Sequence, residues 1–192
     1  MKPFIATVLS LITVASFSQD KFNYISFNQL TEIKGTNYVI ASMESLGKKL
    51  ETHSQFLLFI NTATGQTKKV VFPNDAYLQK IEQVKIDSLG INKVIVMGNT
   101  VNLDNSKKID WNDPKQVIVL STDGQERVQL TEDRFYVHTW ATNSQTGTII
   151  ITGHYDSNNN GKYDKTDKSQ IIIFDLKTLK AISKIDTDDQ SQ

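Results

Sequence analysis

The sequence contains no cysteine, which excludes disulfide stapling, acylation of a lipobox thiol and thiolate metal sites. Three prolines and nine glycines among 192 residues are too few for a collagen-like or linker-like chain. Neither sign of charge is in excess: 21 basic and 21 acidic side chains cancel, so composition supplies no pull toward nucleic acid or an anionic membrane. Histidine is scarce as well, and His53, His138 and His154 show no spacing with acidic residues of the kind that marks a zinc site. There is no G-x-S-x-G or S-x-x-K nucleophile setting and no glycine-rich phosphate loop. What remains is a chain with 39% hydrophobic residues, enough to bury one core without covalent help.

Residues 1–18 have the pattern of a secretory signal: Lys2 as a basic start, an apolar stretch from Phe4 to Phe17, and small residues at Ser16 and Ser18. That stretch is shorter than the roughly 20 residues of a spanning helix, and no later run reaches that length. The expectation is cleavage after Ser18, a secreted or periplasmic protein without a membrane span, and a single all-β domain over 19–192.

Within that domain the sequence repeats at about 55 residues. Tyr38-Val-Ile, Lys93-Val-Ile and Thr148-Ile-Ile-Ile lie in matching runs, each preceded by a glycine (Gly35, Gly90, Gly147) and each followed, after a polar loop, by a Gln (Gln55, Gln116, Gln170) and a second apolar run. A β-prone stretch precedes each first run (YISFNQLTEI, IEQVKI, FYVHTWAT), and a shorter one follows each second run (KKVVF, ERVQL, KAISKI). The runs are short, branched and unbroken, as strands buried on both faces are. The stretch AYLQKIEQVKID also fits helical spacing, but its counterparts in the other copies read as strands. The result is four strands in each of three units, at about 22–78, 79–133 and 134–186.

Four-stranded units of this length are the building blocks of propellers. The third copy resembles a WD-repeat or related propeller blade, with Phe174-Asp175 where the family has Trp-Asp. The resemblance implies a propeller-like array of three four-stranded antiparallel units. Because a closed propeller takes at least about four blades, either two chains complete a ring as a homodimer, or the strands close within one chain as a β-sandwich or barrel.

One stretch carries chemistry. Asp156, Asn158, Asn160, Gly161, Asp164 and Asp167 occupy positions 1, 3, 5, 6, 9 and 12 of a twelve-residue loop, which resembles the calcium loop of EF-hand and dockerin-like modules. A hard cation wants six to eight oxygens, and alternate side chains with the Lys162 carbonyl would supply them. The second unit repeats the set as Asn102, Asp104, Ser106, Lys108, Asp110 and Asp113, except that Lys107 stands where the glycine should be. Forcing a side chain into positive φ there would cost about 1–2 kcal/mol. The first unit, GKKLETHS, reads as a turn without metal.

These features lead to an exported binding or scaffolding module with a structural calcium ion, whose ligand, a protein or carbohydrate, meets the loops at 44–54, 99–115 and 154–169. Trp111, Tyr155 and Tyr163 lie in or beside those loops and could stack on it. The alternative is a secreted propeller-type hydrolase or lyase with calcium near its active site, using paired carboxylates among Asp110, Asp113, Asp164 and Asp167. Convergence of Asp110, Asp164 and His154 on one pocket would favour the enzyme; carboxylates turned into their own loops would favour binding.

Overall fold

The structure, a computed structural model, describes residues 27, 29–42 and 56–186. The signal-like segment 1–18 and the first-unit loop at 44–54 lie outside the described residues. Among the described residues there are twelve strands: β1 Gln29–Glu32, β2 Tyr38–Ser42, β3 Phe56–Asn61, β4 Thr67–Val71, β5 Tyr77–Ile86, β6 Ile91–Asn99, β7 Lys115–Leu120, β8 Arg127–Gln129, β9 Phe135–Asn143, β10 Thr148–Tyr155, β11 Lys168–Asp175 and β12 Ala181–Asp186. They form three four-stranded antiparallel meanders, β1–β4, β5–β8 and β9–β12, each paired in chain order and none closed into a barrel. The fold is all-β and propeller-like, with one sheet per sequence unit. The stretch that also fitted helical spacing forms the ten-residue strand β5. No helix among the described residues is long and apolar enough to cross a membrane.

The middle sheet has neighbours on both sides. Val94, Val96, Ile118 and Leu120 point to the first sheet, where they meet Ile40, Leu57, Phe59 and Val70. Ile95, Val117 and Val119 point the other way, to Phe135, Val137, Ile149, Ile151 and Phe174 of the third sheet. Successive side chains of a strand face opposite ways, so an unbroken apolar run is what a sheet between two others requires. The outer sheets have equally unbroken runs with a different fate. In β10, Ile149 and Ile151 are fully buried while Ile150 between them is partly exposed, and β11 alternates in the same way. The apolar run is thus a sign of burial on both faces only in the middle sheet.

Side chains also clamp the sheets at their edges. Gln83 on β5 accepts from the Lys34 backbone N–H (2.8 Å) and donates to the Lys34 carbonyl (2.9 Å), while Arg127 on β8 donates to the Val71 carbonyl (3.0 Å). Across the other interface the Lys80 ammonium sits 4.0 Å over the Trp140 ring.

A repeated irregularity positions the functional end. In β5 the residue Gln79 is skipped by the register opposite Gly98, and in β9 His138 is skipped opposite Gly153. A side chain on either glycine would strike the backbone oxygen of the bulged strand, Tyr77 in one sheet and Tyr136 in the other. Glycine lets the strands approach, and the bulge then turns its extra residue toward the end of the sheet. There Gln79 Nε2 donates to Asn99 Oδ1 (2.9 Å), and in the same place the facing ring nitrogens of His138 and His154 lie 2.8 Å apart.

Candidate ligand cleft between two matching loops

The loop from β6 to β7 and the loop from β10 to β11 are built on one plan. In the third unit Asp167 accepts from the backbone N–H groups of Ser157 (3.3 Å) and Asp164 (2.9 Å); in the second, Asp113 accepts from Leu103 (2.8 Å) and Asp110 (2.9 Å). Asn158 accepts from Asn160 N–H as Asp104 does from Ser106, and Asp164 from Thr166 N–H as Asp110 does from Asn112. The fourth loop residue has positive φ in both, at Asn159 and Asn105, whereas Lys107 does not. The second loop therefore avoids the strain expected at Lys107 by turning differently from Gly161, whose φ is +69°.

All six loop residues Asp156, Asn158, Asn160, Lys162, Asp164 and Asp167 fall on this turn, but not as one shell of carboxylates. Asp156 is 1% exposed, accepts from the N–H groups of Asn160 and Gly161 (both 3.1 Å), and lies 3.1 Å from the Arg134 guanidinium. Asp164 sits at the surface, where hydrogen bonds from Thr166 and then from the Asn158 and Asn160 amides hold its carboxyl well below the usual carboxylate range. Among the described residues no three His, Cys, Asp or Glu side chains converge as a metal site of those residues alone would need. A calcium shell here has to draw on Asn158, Asn160 and the Lys162 carbonyl too. The donor set suits a hard ion, and the Asn158 and Asn160 oxygens already accept the N–H groups of Asn160 and Lys162, which fixes both side chains over the turn. In the second loop the Asn102 amide donates to the Ser106 carbonyl and the Ser106 hydroxyl to the Lys108 carbonyl, while Asn102 Oδ1 is buried without a hydrogen-bond partner.

The loops touch: a Cβ on Gly161 would lie 2.8 Å from the Leu103 carbonyl oxygen. Between them opens a cleft of about 770 Å3, lined among others by Tyr136, His138, Trp111, Tyr163, Lys115 and Asp104. Trp111 is 85% exposed and Tyr163 more than half. Tyr155, the third candidate stacking ring, instead packs against the core under Arg134 and Lys184. The Tyr136 side chain is buried and its hydroxyl has no hydrogen-bond partner; burial, then Asp156, Asp167, Asp113 and Asp104, pushes its pKa up to about 12. It stays a neutral donor facing an acidic surround. Burial, His154 and Lys115 together lower the pKa of His138. Asp110 and Asp164 do not line the cleft; their carboxylates serve their own loops.

Of the three loops expected at one end, 99–115 and 154–169 meet with Trp111 and Tyr163 at one cleft and 44–54 lies outside the described residues, while Tyr136 and the pairing of His138 with His154 were passed over. The missed signal is the repeat itself: Gln79 and His138 are 59 residues apart, Asn99 and His154 are 55 apart, and aligning both strands puts the two pairs in register.

No family model matches the sequence, and no curated protein does. Among solved structures, a cobalt-substituted apocarotenoid oxygenase from Synechocystis shares 15% identity over 78% of this chain and 34% of its own, with a TM-score of 0.36. A point mutant of the same oxygenase gives 16% identity, the same coverage and a TM-score of 0.35. The chain spans about a third of the length of those structures, and at that degree of similarity neither family nor activity transfers.

Proposed function

We propose that the protein is an exported, propeller-like binding module whose ligand, a carbohydrate or a peptide, is held in the cleft between the 99–115 and 154–169 loops, with a structural calcium ion on the loop from Asp156 to Asp167. The observation that carries this reading is the meeting of two loops of one design around a cleft walled by exposed aromatic rings. Such walls suit a sugar face or a peptide side chain. The enzymatic alternative needs free carboxylates facing a substrate; Asp110 and Asp164 turned into their own loops favour binding. Calcium would supply charge and rigidity rather than chemistry, offsetting the carboxylates of Asp156, Asp164 and Asp167.

Two measurements test this. Trp111→Ala should leave the melting temperature unchanged within the small range of exposed substitutions, about 0.5 kcal/mol, yet abolish binding of any oligosaccharide or peptide the native protein retains from a panel. Retention of that binding would rule out the cleft as the site. Separately, extracellular calcium loops bind near 10⁻⁴ to 10⁻³ M, so about 1 mM ion should stabilise the protein by roughly 0.4–1.4 kcal/mol. Asp164→Ala should erase that gain and Asp104→Ala should keep it. Coincident melting curves with calcium and with chelator would show that the loop holds itself closed without an ion.

A further inference from the structure

The middle sheet shows what its bulge needs: an amide pair, Gln79 and Asn99, at 2.9 Å. Asn99 is fully buried and donates onward to the Asp113 carbonyl, so that pair is part of the frame. The third sheet has the same bulge and the same glycine, but the pair is two imidazoles, of which His138 lines the cleft. Nothing in the backbone requires rings there. Their ring centroids are 4.6 Å apart at 37°, and Tyr163 meets the His154 ring edge-on at 4.8 Å and the His138 ring at 6.0 Å, which limits their rotation.

The facing nitrogens, His138 Nε2 and His154 Nδ1, are 2.8 Å apart. Two imidazoles bound to one ion at about 2.0–2.1 Å are roughly 2.9 Å apart when they subtend a right angle, and roughly 3.4 Å apart at a tetrahedral angle. The observed spacing fits two adjacent corners of a square-planar or tetragonal centre, the geometry of Cu2+ and Ni2+, better than two corners of a zinc tetrahedron. Without an ion the 2.8 Å spacing is that of a hydrogen bond whose donor depends on the tautomer, and a metal would displace its proton and sit off the line joining the nitrogens. The surrounding charge is mixed: Lys115 acts on His138, while Tyr136, paired across the strands with His154, lies among four aspartates.

We propose that His138 and His154 form a two-imidazole site for a divalent copper or nickel ion beside the cleft, which His138 lines, with its remaining positions open to water or to the cleft's ligand. Oxygen-rich loops select calcium and imidazoles select the later transition metals, so the two sites do not compete, and this proposal is independent of the calcium reading.

The test uses tag-free protein with millimolar calcium present to fill oxygen sites, and Cu2+ as the probe. The native chain should bind one Cu2+ with the nitrogen hyperfine pattern of two imidazoles in electron paramagnetic resonance. The double variant His138→Gln, His154→Asn copies the middle sheet's own pair and should keep the fold, while copper affinity falls more than tenfold and the two-nitrogen pattern disappears. His138→Gln alone should lose that pattern as well, which keeps the test decisive if the double variant is unstable. His53→Gln should change neither. Copper bound equally well by the native and substituted chains, or lost on changing His53, would overturn the assignment.

Discussion

Gly98→Ala should destabilise the protein by about 3 kcal/mol, at the upper end of what overpacking a core costs. The new methyl would land on the Tyr77 carbonyl oxygen and within 2.9 Å of the Leu78 Cα, and neither can move as a side chain would. Gly98 sits in β6 of the middle sheet, so any shift of β5 disturbs both cores, since Ile86 on that strand belongs to one and Leu78 packs against the other. Denaturant unfolding would measure it. A loss below about 1 kcal/mol would mean that the bulge at Gln79 relaxes freely and does not fix the end of the sheet.

Asp156→Ala is expected to cost a similar amount, about 3 kcal/mol, because removing one partner of a buried charge pair strands the other and its hydrogen bonds. The Gly161 N–H loses its acceptor, the Asn160 N–H is left with Asn158 Oδ1 alone, and the Arg134 guanidinium keeps only the Asp156 carbonyl at 2.7 Å and the Tyr155 ring. Arg134 is about one-third exposed and recovers part of its loss from water. Asp156→Asn separates the contributions, since it keeps an oxygen for one N–H and drops the charge. Equal melting of the Ala and Asn variants would assign the whole effect to the ion pair. A harmless Asp156→Ala would show that the loop's shape owes nothing to this carboxylate. For the same reason Asp164, at the surface, is the better position for reading out calcium.

Most of the architecture was legible because propeller-like units repeat. The apolar runs at Val94–Val96 and Val117–Leu120 announced strands between two layers, and the paired glycines and glutamines announced where each unit starts and turns. The same argument overreached at Thr148–Ile151, since a branched apolar residue is tolerated on a half-exposed face and the sequence spells Ile150 no differently from Ile149 and Ile151. The loops were legible as Asp and Asn turns, and the sequence cannot separate such turns from an ion shell because both place Asp and Asn at alternate positions. For that same reason the pattern could not foretell how Asn158, Asn160 and Asp164 bond to one another. A bulge is a single unpaired residue with no compositional mark, which hid the apposition of His138 and His154 until strand register was known.

Every hydrogen-bonded ladder among the described residues joins strands adjacent in the chain, and no ladder runs from one sheet to another. Contact order within each sheet is therefore low, and a chain made from its N-terminus can zip each meander as soon as its four strands are available. Layering follows a different schedule. The middle sheet completes its pairing second but becomes dry only when β9 to β11 arrive to cover Ile95, Val117 and Val119. Its exposed apolar face during that interval makes it the segment most vulnerable to aggregation in synthesis, although it is the best buried part of the finished protein.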